Sequence, residues 1–266
     1  MANKRDKRHD QEVVGLLPAA GQATRIAPLP CSKELYPIGF RPVEGEESTR
    51  PKVVCHYLLE KMRLAGITKS YIVLREGKWD IPNYLRDGSM LDMHLAYLIM
   101  DLPFGVPYTL DQAYPFVRDA VVVFGFPDII FKPDDAFSRL LARQAASDTD
   151  IVLGLFPTDQ PQKVDMVDVD DDGRVQQIVI KPRQTQLRYS WCVAVWTPVF
   201  TQFLHEHVVV HQTSAATEPE LSVGHVIQAA IQQGLCAGTV QVSDEPYLDI
   251  GTSEDLNRAV RRFASQ

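Results

Sequence analysis

The sequence predicts an α/β fold built on a mixed, mostly parallel sheet, and three observations lead to this prediction. Short apolar runs alternate with amphipathic segments as far as residue 156, as in strands joined by helical crossovers. The run Ala120–Phe126 is apolar throughout, which is typical of a strand covered on both faces. Three further strand-like runs then follow one another without clear helices between them.

The elements of the first half follow from local periodicity. Val13–Pro18 forms a buried first strand that enters a loop of small residues and prolines. Apolar residues then recur at spacings of three or four and predict a helix that Gly66 closes. These apolar residues are Val54, Leu58, Met62 and Ala65. Strands are expected at Ser70–Leu74 and near Leu95–Ile99, with a helix and a glycine turn at Asp87–Gly88 between them.

The second half adds a helix, several strands and a closing set of helices. Asp134–Ala146 is predicted to be helical, and Asp150–Phe156 to be a strand. The three strand-like runs without intervening helices are Val164–Val169, Val175–Ile180 and Tyr189–Trp196. The remaining elements are helices near Pro198–His207 and Pro219–Gln233, a strand at Thr239–Val242 and a last helix from Thr252.

We expect one domain over residues 12–266, preceded by a disordered tail at residues 1–11. No linker divides the chain, and Glu44–Arg50 is interpreted as a polar surface loop. The four cysteines are scattered without a CxxC pair, which argues against a structural zinc site and against a disulfide framework.

Charge and hydropathy exclude two classes of partner. The 27 basic and 34 acidic residues give a formal charge of −7, which is unfavourable for nonspecific nucleic-acid binding. No window is apolar for long enough to span a membrane, and the start lacks the apolar core of a signal peptide. We therefore expect a cytoplasmic protein with neither nucleic acid nor a membrane as its partner.

The loop after the first strand is the first candidate binding segment. Small residues at 19, 20, 21 and 23 let its backbone approach a ligand closely, and its N–H groups can bind phosphate oxygens. Arg25 and Lys33 add the positive charge that phosphoryl transfer needs. A surface loop with ordinary basic residues explains the same pattern about as well. The segment is neither a P-loop nor a GxGxxG turn, which argues against an NAD-dependent dehydrogenase.

Two carboxylates follow predicted strands and form a candidate metal site. Ligands of open α/β sheets bind at the carboxyl ends of the strands, and Asp128 lies just past the most apolar strand. Asp249 ends a short apolar run before the last helix. Mg²⁺ takes one or two carboxylates and completes its shell with phosphates and water. The alternatives are a turn or N-cap role for Asp128 and a plain helix start near Asp249.

Three other patterns are rejected. The run Asp168–Gly173 begins like a calcium loop, but residue 179, where the closing Glu should stand, is Val; a hairpin turn explains it better. The histidines at 205, 207 and 211 lack an HExxH spacing, so a zinc site is not expected. Ser190 and Ser222 lack a GxSxG elbow, so a serine hydrolase is not supported.

Taken in order, the segments resemble the sugar-1-phosphate nucleotidyltransferases, and most closely the glucose-1-phosphate thymidylyltransferases. The resemblance runs from about residue 13 to residue 260. Its segments are Gly21–Arg25 with Pro28, Ser32–Ile38, Leu64–Ile67, the strand-end Asp128, Lys181–Pro182 and Asp249–Thr252. The resemblance implies a three-layer, Rossmann-like nucleotidyltransferase fold of the GT-A type with a mostly parallel mixed sheet.

The resemblance also implies a role for each matching residue. Arg25 and Lys33 would act on the phosphates of a nucleoside triphosphate, and Gly105 would lie against its base. Asp128 and Asp249 would hold Mg²⁺. Lys181 would bind the phosphate of a sugar 1-phosphate, with Asp165 in the same subsite. The loop that would bind the triphosphate comprises Ala19, Ala20, Gly21, Gln22, Ala23, Thr24 and Arg25.

Several positions depart from the family pattern. Two loop glycines are Ala20 and Ala23 here, and Ala fits only where the backbone does not need a positive φ. The acidic residue that normally precedes Lys-Pro is Ile180, and the Tyr-Gly-Val segment is Val164–Asp165–Met166. The strand-end Gly-Asp has become Gly125–Asp128 (GFPD). The phosphate and metal half is thus retained and the sugar half is altered, which predicts a changed acceptor.

The predicted activity is transfer of a nucleotidyl group from a nucleoside triphosphate, dTTP or UTP being favoured, to a sugar 1-phosphate. Arg25, Lys33, Asp128 and Lys181 are the predicted catalytic residues, with Mg²⁺ as cofactor. Two alternatives stay open: a nucleotide-binding regulatory homologue without catalysis, and the same chemistry on a non-glucose or non-sugar phosphate. The sequence leaves homo-oligomerisation open.

Overall fold

The computed structural model of the chain describes residues 11–42, 45, 48–101, 104–211 and 220–264. Those residues form thirteen strands and eight α-helices. The strands are β1 (Val13–Pro18), β2 (Pro37–Pro42), β3 (Thr49–Val53), β4 (Lys69–Arg75), β5 (His94–Met100), β6 (Val121–Gly125), β7 (Ile129–Ile130), β8 (Ile151–Pro157), β9 (Met166–Val169), β10 (Val175–Val179), β11 (Tyr189–Trp196), β12 (Ala237–Gln241) and β13 (Leu248–Asp249). The helices are α1 (Val54–Leu64), α2 (Asp80–Leu85), α3 (Val106–Asp111), α4 (Tyr114–Val117), α5 (Ala136–Ala146), α6 (Pro198–His211), α7 (Val223–Gln232) and α8 (Ser253–Ala264). Residues 1–10 of the predicted tail lie outside the described residues.

The first half of the chain builds the parallel part of a nine-stranded sheet. β1 lies between β4 and β6 and is parallel to both, and β5 continues the parallel order beyond β4. Because these four strands are parallel, their carboxyl ends meet at one edge of the sheet. The loops that follow β1, β4, β5 and β6 therefore gather at that edge.

The second half adds antiparallel strands on the other side of β6. β11 pairs antiparallel with β6, β8 and β9, and β10 pairs antiparallel with β9. β12 is parallel to β8. The three strand-like runs without helices between them thus join a single sheet, and the predicted mixed α/β architecture is confirmed.

Two hydrophobic cores cover the two faces of the sheet. One contains Phe124 of β6, Trp196 of β11 and Phe200 of α6. The other contains Leu58 of α1 and Phe137 of α5. Successive side chains of β6 enter the two cores alternately, which explains why that strand is apolar throughout. The resulting helix–sheet–helix layering agrees with the expected three-layer fold.

The hairpin of β2 and β3 was not predicted. Pro37 pairs with Val53 and Pro42 with Thr49, so the interpretation of Glu44–Arg50 as a surface loop was wrong at its last two residues. Both strands contain proline and most of their side chains are exposed, so neither carries an apolar alternation. Their pairing depends on backbone hydrogen bonds, which a search for apolar periodicity does not detect.

No helix in the described part of the chain has the length and apolar character needed to cross a membrane.

Folding buries the imidazole of His56 on α1, and this predicts an acid-sensitive stability. Burial, together with the charges of Arg41 and Lys52, lowers the pKa of His56 to about 4. The unfolded chain binds this proton near pH 6.5, so between those two values the unfolded state holds more protons and stability rises with pH. Between pH 7 and pH 5 this residue is expected to remove about 2 kcal/mol from the free energy of unfolding.

Urea denaturation of the wild type and of His56→Leu at both pH values isolates this contribution. The stability difference between the two proteins should change by about 2 kcal/mol. A difference that stays constant between the two pH values would contradict the assignment.

Candidate active site

The loop that follows β1 lies at the edge where the parallel strands end. Ala19 donates its N–H to the carbonyl of Val73 (2.8 Å), so the loop leaves the sheet beside β4. Ala19 and Ala20 are buried, whereas Gly21, Gln22, Thr24 and Arg25 are exposed. The structure therefore presents the middle of the predicted phosphate-binding loop to solvent.

The loop reverses at Ala23 in a left-handed backbone conformation. Ala23 has φ +55°, and its carbonyl accepts hydrogen bonds from the N–H groups of Ile26 (3.1 Å) and Ala27 (3.0 Å). Ala20 has no positive φ. Alanine was expected to fit these two positions only if neither needs a positive φ. This holds at Ala20 and fails at Ala23, where a non-glycine residue occupies the αL region at a cost of about 1 kcal/mol.

A two-stranded sheet brings the two predicted metal-binding carboxylates together. β7 follows Asp128 directly and pairs antiparallel with β13, which places Asp249 opposite Ile129. The N–H of Ile250 donates to the carbonyl of Asp128 (3.3 Å). Residues 121 positions apart in the sequence therefore meet at the carboxyl end of β6 through a backbone pairing.

Lys33 joins the two carboxylates and forms an ion pair with Asp128. Burial alone would lower the pKa of Lys33, but the charges of Asp128 and Glu34 raise it above its usual value. Burial favours protonation of Asp128, yet Lys33 holds the pKa of that carboxyl below its ordinary value. Lys33 therefore stays charged and compensates the charge of Asp128.

Asp249 is the less compensated carboxylate. Burial, followed by the charge of Asp128, raises its pKa to about 6. Its Oδ1 accepts the N–H of Gly251 (2.7 Å). A Cβ atom added to Gly251 would lie 3.0 Å from that oxygen and 3.1 Å from a guanidinium nitrogen of Arg25, so Arg25 reaches the surroundings of Asp249. Four of the predicted residues are thus gathered here: Arg25, Lys33, Asp128 and Asp249.

Two contacts that were not predicted fix the segment carrying Lys33. Asp80, at the start of α2, accepts the backbone N–H (2.6 Å) and the hydroxyl (2.7 Å) of Ser32. Lys78 forms a buried ion pair with Glu34 (2.7 Å). Lys78 and Asp80 both follow β4, whose carboxyl end meets that of β1. The rule that ligands bind at the carboxyl ends of strands could therefore have identified them as site residues.

The Glu34–Lys78 pair gives a stability prediction. Lys78→Met would leave the Glu34 carboxylate buried without its ion-pair partner, and breaking a buried pair in this way costs about 3–5 kcal/mol. The double variant Glu34→Gln/Lys78→Met removes both charges and should recover most of that loss. Guanidinium unfolding of the three proteins tests this, and a double variant no more stable than Lys78→Met would contradict it.

A second cluster of polar side chains contains Asp165 and Lys181. The charge of Lys181 favours the ionised form of Asp165. Lys181 has φ +41°, an uncommon conformation for a lysine that marks a locally constrained backbone. Tyr247 is partly buried, and its pKa is raised first by burial, with smaller contributions from the charges of Asp249 and Asp165. An open cleft beside Asp249 is lined by Val164, Tyr247 and Asp249, among others.

Gly105 lies near this second cluster, at the N-terminus of α3. It forms a parallel bridge with Leu221 and has φ +127°. A side chain there would overlap the Leu221 carbonyl, so close backbone packing is one reason for glycine. Its expected contact with a nucleobase stays a prediction.

Comparison with known proteins agrees with this arrangement. The model of the nucleotidyl transferase family matches residues 14–266. The chain belongs to this family. The match confirms the resemblance predicted from the sequence.

The relatives of this nucleotidyl transferase are distant in sequence. The chain is 25% identical over 248 residues to a low-salt glycan biosynthesis nucleotidyltransferase of Haloferax volcanii, and the match covers 92% of this chain and 64% of that protein. It is 26% identical over 252 residues to a glucose-1-phosphate thymidylyltransferase of Streptomyces antibioticus, covering 92% of this chain and 65% of that protein. The chain thus spans less than two thirds of the length of these relatives.

Two solved structures share the fold of this nucleotidyl transferase. A candidate glucose-1-phosphate thymidylyltransferase from Bacillus anthracis, in complex with a sucrose, superposes with a TM-score of 0.79 at 18% identity. The inositol-1-phosphate CTP transferase from T. maritima superposes with a TM-score of 0.71 at 20% identity. Each comparison covers 96% of both chains.

The rejected motifs of the nucleotidyl transferase have structural roles. The run Asp168–Gly173 ends in the turn between β9 and β10, where Asp170 Oδ1 accepts the N–H groups of Asp172 (3.0 Å) and Arg174 (2.9 Å). His205 bonds to Asp111 (2.8 Å). Across the described residues, no group of three or more His, Cys, Asp or Glu side chains is arranged to hold a metal ion.

Proposed function

We propose that this nucleotidyl transferase joins a sugar 1-phosphate to a nucleoside triphosphate, dTTP or UTP being favoured, and releases pyrophosphate with Mg²⁺ as cofactor. The observation that carries the proposal is the meeting of Arg25, Lys33, Asp128 and Asp249 at the carboxyl end of the parallel strands. Phosphoryl transfer needs charge compensation and alignment more than a protein nucleophile, and these four side chains supply charge of both signs.

The exposed loop is proposed to bind the triphosphate. Small residues leave its backbone accessible from Gly21 to Thr24, and Arg25 adds a cation at its end. Lys33 lies deeper and is kept charged by Asp128, so it can neutralise charge on the reacting phosphates. Gly105 is proposed to lie against the nucleobase, as the resemblance implies.

The donor set fits a magnesium ion. Asp128 and Asp249 present two carboxylates, the charge of Asp128 raises the proton affinity of Asp249, and a divalent cation would relieve this repulsion. Two protein carboxylates suffice for Mg²⁺ when substrate phosphates and water complete the shell. When bound, the ion would supply Lewis-acid stabilisation of charge on the phosphoryl oxygens.

The chemical step is an in-line displacement at the α-phosphorus. A phosphate oxygen of the acceptor attacks that phosphorus, a new P–O bond forms, and the bond to the bridging oxygen of the β-phosphate breaks with its electron pair leaving on pyrophosphate. Arg25 and Lys33 stabilise the charge that accumulates on the transferred and departing phosphates, and the loop holds the triphosphate in line. Lys181 is proposed to bind the acceptor phosphate, with Asp165 beside it.

The base and the acceptor are the least constrained parts of the proposal. A relative is named as a glucose-1-phosphate thymidylyltransferase and a structural neighbour as an inositol-1-phosphate CTP transferase. Ile180 stands where the resemblance leads us to expect an acidic residue, which favours an acceptor other than glucose 1-phosphate.

Product analysis separates catalysis from nucleotide binding alone. The protein is incubated with Mg²⁺, a nucleoside triphosphate and a sugar 1-phosphate, and the mixture is analysed by mass spectrometry while calorimetry measures triphosphate binding. A nucleoside diphosphate sugar in the mixture supports the enzyme. Tight triphosphate binding without any new nucleotide across all pairs would favour the regulatory homologue.

A further inference from the structure

The backbone around Lys33 is anchored on both sides by the loop that joins β4 to α2. Before Lys33, the carboxylate of Asp80 binds Ser32 twice: Oδ2 accepts the backbone N–H (2.6 Å) and Oδ1 accepts the hydroxyl (2.7 Å). After Lys33, Glu34 forms its buried ion pair with Lys78. Residues of one short loop thus hold both sequence neighbours of Lys33.

The Lys33 side chain extends from this anchor to a different strand end. Its ammonium group pairs with Asp128, which follows β6, whereas the anchoring loop follows β4. Because β1 lies between β4 and β6 in the sheet, the lysine reaches across the end of β1, where the proposed triphosphate loop begins. The four-carbon stem of a lysine is flexible, so the place that its ammonium group can reach depends on where its backbone is held.

The two bonds from Ser32 to Asp80 are of the kind that fixes a backbone firmly. Hydrogen bonds to an ionised carboxylate are short and about twice as strong as bonds between neutral groups. Oδ1 of Asp80 also accepts the N–H of Ile81 (3.1 Å), a buried residue of α2, so the carboxylate is itself held in place. Asp80 therefore acts on the position of the segment that carries Lys33.

We propose that Asp80 is a positioning residue of the reaction, which holds Lys33 through Ser32 so that the ammonium group meets the reacting phosphates. The inference rests on the proposed function and deepens it, because it assigns a role to a residue outside the group of Arg25, Lys33, Asp128 and Asp249. Asp80 contributes to turnover through Lys33 alone. Displacing a group that acts on the reacting atoms by about 1 Å can cost about 100-fold in rate.

A double-mutant cycle tests this route of action. Pyrophosphate release gives kcat and KM for the wild type, Asp80→Ala, Lys33→Ala and the double variant. Asp80→Ala should lower kcat by about 10–100-fold and change the KM of the triphosphate by about threefold or less. Lys33→Ala should lower kcat by about 10²–10³-fold, and adding Asp80→Ala to it should cost no more than about a further twofold.

The cycle separates positioning from a loss of folded protein. If Asp80 merely supported the fold, its removal would reduce the active fraction equally with and without Lys33, and the two losses in kcat would multiply. Losses that multiply, or a wild-type kcat in Asp80→Ala, would overturn the inference. Asp80→Asn keeps the shape of the side chain and one acceptor oxygen, so it should recover part of the lost kcat.

Asp87→Ala is the matched control at the other end of α2. Oδ1 of Asp87 accepts the N–H (3.1 Å) and the hydroxyl (2.8 Å) of Ser89, so the same two kinds of bond are lost. Asp87 is exposed, and its carbonyl accepts the N–H of Leu95 near the amino end of β5. The control should keep the wild-type kcat, and a loss equal to that of Asp80→Ala would contradict a specific role for Asp80.

The outcomes also separate this inference from the proposed function. Pyrophosphate release with multiplying losses would keep the function and reject the inference. If no pair of substrates releases pyrophosphate, the proposed function fails, and nuclear magnetic resonance of isotope-labelled lysine decides whether Asp80 positions Lys33. The lysine signal that disappears in Lys33→Ala should shift or broaden in Asp80→Ala and not in Asp87→Ala; an unchanged signal in Asp80→Ala rejects the inference.

Discussion

Asp249→Asn is expected to abolish turnover and to make the folded protein more stable. Asp249 is partly buried and repelled by Asp128, and its pKa is raised to about 6, so its ionised form opposes folding at neutral pH. A neutral amide of the same shape can keep the hydrogen bond from Gly251 while removing the repulsion. Without magnesium the gain in free energy of unfolding should reach about 3 kcal/mol.

The loss of activity should be large because the same carboxylate is proposed to hold Mg²⁺. We expect kcat/KM to fall by about 10³-fold or more. Asp128→Asn should also lose turnover, but without the gain in stability, since it removes the partner of Lys33. Stability is measured by denaturant titration with and without Mg²⁺, and activity by pyrophosphate release.

Asp119→Asn, at an exposed residue before β6, is the control for both measurements and should change neither. Wild-type rates in Asp249→Asn would remove this residue from the metal site. A destabilised Asp249→Asn protein would show that the carboxylate stabilises the fold instead of opposing it.

Arg25→Ala is expected to remove most of the activity and leave the fold unchanged. Arg25 is exposed at the end of the loop, and it reaches the surroundings of Asp249, where the phosphates are proposed to bind. Removing a group that stabilises charge in the transition state typically costs about 10²–10³-fold in kcat. Since surface substitutions change stability by about 0.5 kcal/mol or less, the thermal transition should stay in place.

The matched control is Arg118→Ala, at an exposed arginine paired only loosely with its neighbour Asp119 (3.4 Å). It changes the net charge by the same amount. Arg118 precedes β6 and so lies at the amino ends of the parallel strands, whereas Arg25 follows the carboxyl end of β1. Equal activity of Arg25→Ala and Arg118→Ala would mean that the loop does not act on the reacting phosphates.

The local part of the fold was predictable from the sequence, since apolar runs mark strands wherever both faces of the sheet are covered. The approximate positions of β1, β6 and β11 follow from this rule, and the rule that ligands bind at strand ends indicates Asp128. The β2–β3 hairpin does not follow, because its strands contain prolines and exposed side chains and are held by backbone pairing.

The supporting contacts of the site carry no periodic signal, although the rule that ligands bind at strand ends indicates the segment after β4 that contains Lys78. Glu34 and Lys78 form an ion pair across 44 residues, and neither position carries a periodic signal. The left-handed conformation of Ala23 was also hidden, because alanine rarely adopts it. The ion pair and the strained backbone of Ala23 both arise from the tertiary structure, so no local sequence pattern indicates them.

Pyrophosphate release tests the central claim most directly. Purified protein is supplied with Mg²⁺ and every combination of dTTP, UTP, CTP, ATP and GTP with a panel of sugar and cyclitol phosphates. The proposal predicts magnesium-dependent release for one preferred pair, dTTP or UTP being the favoured donor, and no release with Asp249→Asn. Silence across the whole panel while the triphosphate still binds would contradict the enzymatic role and leave a nucleotide-binding protein.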